Sequence, residues 1–307
     1  MHPHLESLLF CPRCSTRLQR VSGTFVCEKK HSYPIEKGIP VFSKLLDNKY
    51  EDPVFSQYYL QTHYPDWIKK SVSRNTLATF DWPGFFTRTH SYYTDLFKVF
   101  GGVLTKQSTV LDLGCSVGRL TFECAKYAKF AIGIDPSRLH IGYADDILQN
   151  NKLSVTLGQS QIEYKGEKTA TFTVPVKVPD NVAFLVGDDG SLPFADESID
   201  VIVSSAVIDR VPDAEKFIQR CERILCPKGY ILLTTPFNWQ DLFTSKKKWL
   251  GKGGYGTKVG PPEDALKELM ENQGFKRLRA ENIPWTTHCD KRFFFTWSIH
   301  AALFQKQ

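Results

Sequence analysis

From residue 108 onward the chain alternates between short apolar segments and amphipathic ones, and this alternation restricts the fold more than any other feature. The apolar segments have the length of buried β-strands: Thr109–Gly114, Phe130–Asp135, Val182–Gly187, Ile199–Ser205 and Tyr230–Pro236. Two intervening segments have helical spacing of their apolar residues: Arg119–Ala128 and Ala214–Leu225. A strand–helix–strand order of this kind predicts an α/β fold with a parallel sheet and helices on both of its faces.

A glycine-containing turn, GCSVG, follows the first predicted strand, and carboxylates end the next two. Gly114 and Gly118 have G-x-x-x-G spacing, which differs from the G-x-G-x-x-G of dinucleotide sites and disfavours a dehydrogenase. Asp135 ends the second strand, where a carboxylate can bind both hydroxyls of a ribose. Asp188 ends the third strand, within GDDGSLPF, where an acidic group can meet an adenine amino group. Ligands of such sheets bind beyond the carboxyl ends of the strands, so we expect the site there.

The ordered segments VLDLGCSVGRL, GIDPS, GDDGSLPF, SIDVIVSSAVI and CPKGYILLTTP resemble the class I S-adenosylmethionine-dependent methyltransferases over residues 110–236. The resemblance implies a Rossmann-like, seven-stranded domain in which the glycine turn holds the methionine part of the cofactor. It places Asp135 at the ribose, Asp188 at the adenine, and Asp112 under the turn or near the methionine ammonium. The full set of implied cofactor-binding residues is Asp112, Gly114, Cys115, Gly118, Asp135, Pro136, Asp188, Asp189 and Ser204. Because the motif residues are intact, a binding module without activity is disfavoured.

A group of metal-ligand residues lies near the start of the chain. Cys11, Cys14, Cys27 and His31 have the spacing C-x2-C-x12-C-x3-H, and four such ligands can close a tetrahedral shell around zinc. The stretch between the two pairs, around Ser22-Gly23, suits a short hairpin. A closed shell leaves no open position, so the sequence predicts a structural zinc that supplies folding free energy to a segment too small for its own core.

The cysteine-rich segment and the YPIEKGIPVF that follows it resemble two kinds of zinc ribbon. One is the small zinc-ribbon protein that partners tRNA and protein methyltransferases. The other is the N-terminal zinc finger of bacterial ribosomal-RNA guanine-N1 methyltransferases. We therefore predict a zinc ribbon over 1–44, a helical aromatic-rich segment over 45–106, and a methyltransferase domain over 107–307 with a β-hairpin insertion near 151–181.

Two segments allow more than one interpretation. The aromatic-rich segment, with helices predicted near 54–63 and 87–104, either packs on the main domain as a cap or walls a substrate pocket together with His63. The segment after the last parallel strand has consecutive lysines at 246–248 and glycines spread over 251–260. It predicts either a solvated basic loop or a lid that excludes water from the site.

Parts of residues 55–307 resemble the methyltransferase domain of ovothiol-synthesising proteins, which methylates a ring nitrogen of a thiol-bearing histidine. The matching stretches are QYYLQTHYP, LDLGCSVGR, VIDRVPDAEKF, TPFNWQDLFTSKKKWLG and IPWTTHCDKRFFFTWSIHAALFQ. Ovothiol proteins also carry an iron-dependent sulfoxide-synthase region without counterpart in this sequence, and they lack the ribbon. The candidate catalytic residues are His63, Asp209, Arg210, Asn238 and Trp239, with Arg210 suited to a substrate carboxylate and Trp239 to stacking on a ring.

The predicted function is methylation of an imidazole-type ring nitrogen in a small histidine-like metabolite or a histidine-containing compound. The alternative is an RNA base methyltransferase that binds RNA through the ribbon and through Lys29, Lys30, Lys246, Lys247 and Lys248, for which a net charge of +6 is small. Three of the eight cysteines lie in the ribbon, and the other five are scattered from Cys115 to Cys289. This scatter and the absence of a recognisable secretion signal predict a cytoplasmic protein. No apolar run is long enough to predict a membrane partner.

Overall fold

The computed structural model describes residues 2–43, 51–80, 92–100, 102–158, 168–290 and 293–307. The helices are α1 Pro3–Leu8, α2 Pro53–His63, α3 Pro65–Ser71, α4 Arg74–Ala78, α5 Tyr92–Phe100, α6 Arg119–Ala125, α7 Arg138–Asn150, α8 Ala214–Ile224 and α9 Pro262–Asn272. The strands are β1 Gln19–Val21, β2 Thr24–Val26, β3 Ser32–Glu36, β4 Ile39–Pro40, β5 Thr109–Leu113, β6 Phe130–Asp135, β7 Lys152–Leu157, β8 Ala170–Pro175, β9 Val182–Val186, β10 Ile199–Ser205, β11 Leu225–Thr235, β12 Phe275–Asp290 and β13 Phe293–Lys306.

Within the described residues, the main sheet has seven strands in the order β12-β13-β11-β10-β5-β6-β9. Five neighbouring strands of this sheet are parallel to one another: β11, β10, β5, β6 and β9. Strand β13 is antiparallel to both β11 and β12. The chain leaves the central strand β5 towards β6 on one side, and β10 lies on the other. This is the switch point at which open α/β sheets bind ligands, and the predicted Rossmann-like fold is confirmed.

Burial explains why these segments form strands and helices. Every residue of β5, β6 and β9 is buried, as expected for parallel strands covered on both faces. The helix α8 buries one apolar face, Phe217, Ile218, Cys221 and Ile224, and its N-terminus is capped by Asp213, whose side chain accepts a hydrogen bond from the Lys216 amide. The predicted strand and helix bounds differ from the observed ones mainly at β11, which begins at Leu225 and not at Tyr230.

The N-terminal segment forms a four-stranded antiparallel sheet, β1 to β4, among the described residues. β1 and β2 pair around Ser22-Gly23, where the sequence predicts a hairpin. Apolar residues of this segment, among them Leu5, Leu9 and Phe25, belong to the same buried cluster as strand residues of the main sheet. The ribbon is therefore packed into the core of the α/β domain.

The predicted hairpin insertion is present as the antiparallel pair β7 and β8, which forms a separate two-stranded sheet. Its Lys-Gly turn lies outside the described residues. The helix predicted near 54–63 is observed as α2, whereas the helix predicted near 87–104 ends at Phe100, and residues 87–91 are outside the described ranges. Among the described helices, none has the length and apolar character needed to cross a membrane.

Candidate functional site

The metal-ligand residues of the ribbon lie together. One ligand atom from each of Cys11, Cys14, Cys27 and His31 lies within 4.8 Å of the others. The sulfurs of Cys14 and Cys27 are 3.6 Å apart, close to the edge of about 3.8 Å expected for a tetrahedron with 2.3 Å zinc–sulfur bonds. The Tyr33 hydroxyl lies 3.2 Å from the Cys11 sulfur, and the His31 amide donates to the Cys27 sulfur. The donor set fits a structural zinc ion.

A cavity of about 480 Å³ opens at the carboxyl ends of the parallel strands. One part of its wall, here the strand-end half, consists of residues from β5, β6 and β9 and the turns that follow them. The other part, here the aromatic half, comes from α2, α5, β12, β13 and the loops after β10 and β11. Its aromatic members are Tyr58, Tyr59, His63, Tyr93, Phe243, Trp285 and Trp297. A cavity of this size and composition suits a small-molecule ligand.

The glycine turn of the strand-end half is held by backbone hydrogen bonds and by Asp135. The amides of Gly114 and Cys115 both donate to the Ile134 carbonyl, at 2.8 and 3.1 Å. Gly114 has a φ of +83°, and a Cβ there would lie 2.3 Å from a Val207 methyl, so both conformation and space require glycine. Gly118 also has positive φ but packs against Ala144 and Phe184 and does not line the cavity.

Asp135 connects this turn to the start of α7. Its carboxylate accepts the amide of Ser116 in the turn and the amide of Ser137, both at 2.9 Å. Burial raises the pKa of Asp135 to about 6, although the two amide donors oppose that rise. Each carboxylate oxygen keeps a second lone pair, so the side chain can still accept hydroxyl donors from a ligand in the cavity.

Asp112 is the buried carboxylate at the centre of the strand-end half. Its Oδ2 accepts the Thr121 hydroxyl at 2.7 Å, whereas its Oδ1 has no hydrogen-bond partner among the described residues. Burial raises the pKa of Asp112 to about 7. A buried acceptor without a partner is costly, and a cationic donor arriving in the cavity would satisfy it.

The remaining predicted residues of the strand-end half are Cys115, Pro136, Asp188 and Asp189, and all four line the cavity. The Asp188 side chain caps the short 3-10 helix Asp189–Ser191, accepting the Gly190 amide at 2.9 Å. Asp189 forms an ion pair with Arg220. Ser204 is different, because its hydroxyl is buried and donates to the Leu113 carbonyl, and it does not line the cavity.

His63 lies at the end of α2 and faces the aromatic half. Its Nδ1 is 2.7 Å from the Tyr93 hydroxyl, and its ring packs nearly perpendicular to that of Trp285 at a centroid distance of 5.7 Å. Burial lowers the pKa of His63 to about 3, with smaller contributions from His140 and Arg119. The imidazole is therefore neutral at physiological pH and is a weak base.

The orientation of the Trp285 ring is fixed by stacking on Tyr92. Its ring stacks on Tyr92 at 4.8 Å with an interplanar angle of 19°, and the Tyr92 hydroxyl is hydrogen-bonded to Ser205 and Thr234, each at 2.9 Å. The β12–β13 pair thereby contributes a rigid aromatic surface to the cavity. Tyr93 belongs to the aromatic-rich segment for which the sequence allowed a place in the pocket wall, whereas no local pattern marks Trp285 or Thr287 as site residues.

Arg210 is the cation of the aromatic half, and two other predicted residues hold it in place. Its Nη1 donates to the Asn238 carbonyl, to the Asp209 carbonyl at 3.0 Å and to the Asp209 carboxylate at 3.2 Å. Among the described lining residues, Arg210 is the one lysine or arginine. Asp209 and Asn238 do not line the cavity themselves. They accept the hydrogen bonds that hold the Arg210 guanidinium in place.

The structure does not support stacking of Trp239 on a substrate ring. Its side chain is only 9% exposed and belongs to the buried cluster that includes Leu250 and Phe217.

The basic segment 246–260 does not line the cavity. Lys248 pairs with Asp213, and the Tyr255 hydroxyl accepts the Ala214 amide, so this segment is fastened to the start of α8. Leu242 and Phe243, just before it, do line the cavity.

Arg119 fastens the aromatic-rich segment to the α/β domain. Its side chain is 3% exposed and donates to Asp66 at 2.6 Å, to Glu123 at 2.9 Å and to the His63 carbonyl at 3.2 Å. Burial alone would lower its pKa, but the two carboxylates raise it, so the guanidinium stays charged. Tyr64 adds a hydrogen bond to the Val117 carbonyl in the glycine turn. The segment acts as a cap and as a cavity wall, which combines the two interpretations left open by the sequence.

Comparisons with known proteins bear on the α/β domain. Ubiquinone biosynthesis O-methyltransferase, mitochondrial, of Bos taurus is 32% identical over 126 residues, which are 41% of this chain and 28% of that protein. Arsenite methyltransferase of Halobacterium salinarum is 26% identical over 175 residues, 55% of this chain and 38% of that protein. The chain thus spans less than two-fifths of the length of these curated relatives.

A solved structure of SAM-dependent methyltransferases from Methanosarcina mazei superposes with a TM-score of 0.47 at 20% identity, covering 68% of this chain and 96% of that one. Residues 111–233 match the profile of the family described as Methyltransferase domain. The matched range runs from β5 to β11 and includes the glycine turn, Asp112, Asp135 and Asp188. This part of the chain is therefore similar to a methyltransferase domain.

Proposed function

We propose that the protein is an S-adenosylmethionine-dependent N-methyltransferase whose acceptor is an imidazole-type ring nitrogen of a small histidine-like compound. The observation that carries this proposal is the composition of the aromatic half. A neutral, weakly basic His63 and the flat surface of Trp285 lie in the same cavity wall as the cation Arg210. Such a wall suits a planar acceptor that carries an anionic group and needs no strong base.

The strand-end half fits S-adenosylmethionine. The partnerless Oδ1 of Asp112 suits the methionine ammonium, and the free lone pairs of Asp135 suit the ribose hydroxyls. The turn requires glycine at position 114 because a side chain there would strike Val207, which also lines the cavity. When bound, the cofactor supplies an electrophilic methyl group on a sulfonium. The protein's residues then fix where that methyl group points.

Methyl transfer to nitrogen forms an N–C bond as the S–C bond breaks, and the sulfur leaves with the bonding electron pair. The rate depends on holding the acceptor lone pair about 3–3.5 Å from the methyl carbon and in line with the leaving sulfur. In this cavity the stacked Trp285 and the Tyr93–His63 pair restrict the orientation of a flat ring. His63 supplies a hydrogen bond to the acceptor ring and does not need to remove a proton first.

The basicity of the acceptor distinguishes a ring nitrogen from a phenol. A neutral imidazole has a lone pair ready to attack, since its pKa of about 6.5 leaves it mostly unprotonated at neutral pH. A phenol, with a pKa of about 10, needs a general base near its oxygen. Because the pKa of His63 is lowered to about 3, it is a poor base for that purpose. After transfer to imidazole, the surplus ring proton leaves to solvent.

Arg210 supports an acceptor with a carboxylate. Its Nη1 is occupied by Asp209 and Asn238, which fixes the plane of the guanidinium and leaves its other donors for a ligand. An amino acid with an imidazole ring would place its carboxylate there and its ring against Trp285. The RNA alternative stays a prediction, and the same experiment tests it.

The experiment uses purified protein, methyl-labelled S-adenosylmethionine and separate acceptors: histidine, a thiol-bearing histidine, a catechol and total RNA. The proposal expects label on an imidazole nitrogen, located by mass spectrometry and NMR, in the presence of one of the first two acceptors. Exclusive label on the catechol oxygen or in RNA would refute it. Arg210→Met serves as the matched variant and should raise the acceptor KM. Exposed Arg74→Met is the control and should leave that KM unchanged.

A further inference from the structure

The ribbon touches the α/β domain on both sides of one short loop, residues 187–192, that follows β9. Before the loop, Val41 forms a parallel bridge with Val186, and the Phe42 amide donates to the Val186 carbonyl at 2.7 Å. After the loop, the Phe10 amide donates to the Pro193 carbonyl at 2.8 Å, and Leu9 forms a bridge with Phe194. Both ends of the loop are therefore fixed by backbone hydrogen bonds to the ribbon.

The same loop carries the cavity-lining residues Gly187, Asp188 and Asp189. The Asp188 carboxylate is oriented from two directions. Its Oδ1 accepts the Gly190 amide at 2.9 Å and the Ser191 hydroxyl at 3.0 Å, both from within the loop. Its Oδ2 accepts the Ser43 hydroxyl at 2.7 Å, and Ser43 is only 4% exposed. The contact from the ribbon thus decides the direction of the second oxygen.

We propose that Ser43 is a positioning residue for Asp188, and that through it the ribbon sets the affinity of the strand-end half for the adenosine part of the cofactor. A charge-assisted hydrogen bond of 2.7 Å fixes the carboxylate more firmly than the loop alone can. Without the Ser43 donor, Oδ2 of Asp188 loses its hydrogen bond while Oδ1 stays bonded within the loop, so the carboxylate loses part of its pre-organisation for a nucleoside. The inference concerns cofactor binding and does not depend on which molecule accepts the methyl group.

The test measures binding of S-adenosylhomocysteine to the full-length, zinc-loaded protein by titration calorimetry. Ser43→Ala removes one oxygen atom and should raise the Kd roughly three- to tenfold, as expected for loss of one hydrogen bond to a charged group. The zinc content should stay unchanged. Ser32→Ala is the matched control, because Ser32 is an exposed serine of the same ribbon that lies in β3.

A second measurement separates positioning from a general loss of structure. In an Asp188→Ala background, Ser43→Ala should raise the Kd no further, since the hydrogen bond is already absent. An equal increase in both backgrounds would show that Ser43 acts through the fold and not through Asp188, and the inference would fail. An unchanged Kd for Ser43→Ala in the wild-type background would overturn it as well.

Discussion

Replacing Asp112 with asparagine should make the ligand-free protein more stable at alkaline pH while weakening cofactor binding. Asp112 is buried, and its Oδ1 has no partner among the described residues. Burial raises its pKa from an ordinary value of 3.8 to about 7. The folded protein therefore holds the ionised carboxylate at a cost, and the asparagine variant avoids that cost because it has no charge to bury.

The sign and the size of the effect follow from proton linkage. Between pH 3.8 and about 7 the folded state binds a proton at Asp112 that the unfolded state has released, so the free energy of unfolding falls as pH rises through this window. Each pKa unit corresponds to about 1.4 kcal/mol, which gives on the order of 4 kcal/mol above pH 7 and about 1.5 kcal/mol near pH 5. The stability of Asp112→Asn relative to wild type should thus rise by about 2–3 kcal/mol from pH 5 to pH 8.

The assay is urea unfolding of both proteins at about pH 5 and about pH 8, without cofactor, analysed by linear extrapolation. Effects of acid on the ribbon ligands cancel, since both proteins carry the same ribbon. Asp180→Asn is the matched control, because it removes a carboxylate from an exposed position. The reasoning is refuted if the difference between Asp112→Asn and wild type is the same at both pH values.

Three further predictions concern the ribbon, the acceptor contact and the cap. Cys14→Ser should lose stoichiometric zinc, measured by plasma mass spectrometry, and several kcal/mol of unfolding free energy, because metal binding supplies the ribbon's folding energy; full zinc retention would contradict the closed four-ligand site. Arg210→Met should raise the KM of the acceptor roughly 10- to 100-fold while the Kd of S-adenosylhomocysteine stays constant, since one contact to a charged group is lost; a parallel rise in both would place Arg210 elsewhere. Arg119→Met should lower the unfolding free energy by about 2–3 kcal/mol in chemical denaturation, because Asp66 loses its cation and Glu123 keeps only Lys126; a change below about 0.5 kcal/mol would show that Arg119 does not fasten the aromatic-rich segment.

The parts of the fold that local patterns encode could be predicted from the sequence. The buried strands around β5, the amphipathic α8 and the β7–β8 hairpin each have a periodicity within one short segment. The ribbon ligands are also predictable, since their spacing along the chain reflects the geometry of one metal site. Asp112 and Asp135 could be located because Asp112 lies two residues before the glycine turn and Asp135 is the last residue of the next strand.

The aromatic half could not be predicted in the same way, because distant segments build it. Trp285 reaches the cavity only through the long antiparallel pairing of β12 with β13, and no residue near it signals a site. Arg119 meets Asp66 across 53 residues of sequence. Trp239 was predicted to lie in the cavity because it follows β11, but its side chain packs in the core. The direction of a side chain depends on packing that a single segment does not contain.

The central claim is that the strand-end half binds S-adenosylmethionine through Asp135, and equilibrium binding tests it most directly. Titration calorimetry with S-adenosylhomocysteine compares wild type with Asp135→Asn, while thermal unfolding verifies that the variant keeps its fold. We expect a one-to-one complex for wild type and a Kd roughly 10- to 100-fold higher for the variant, because two charge-assisted hydrogen bonds to the ribose are weakened. An equal Kd for a folded variant, or no binding by wild type, would contradict the assignment of the cofactor site.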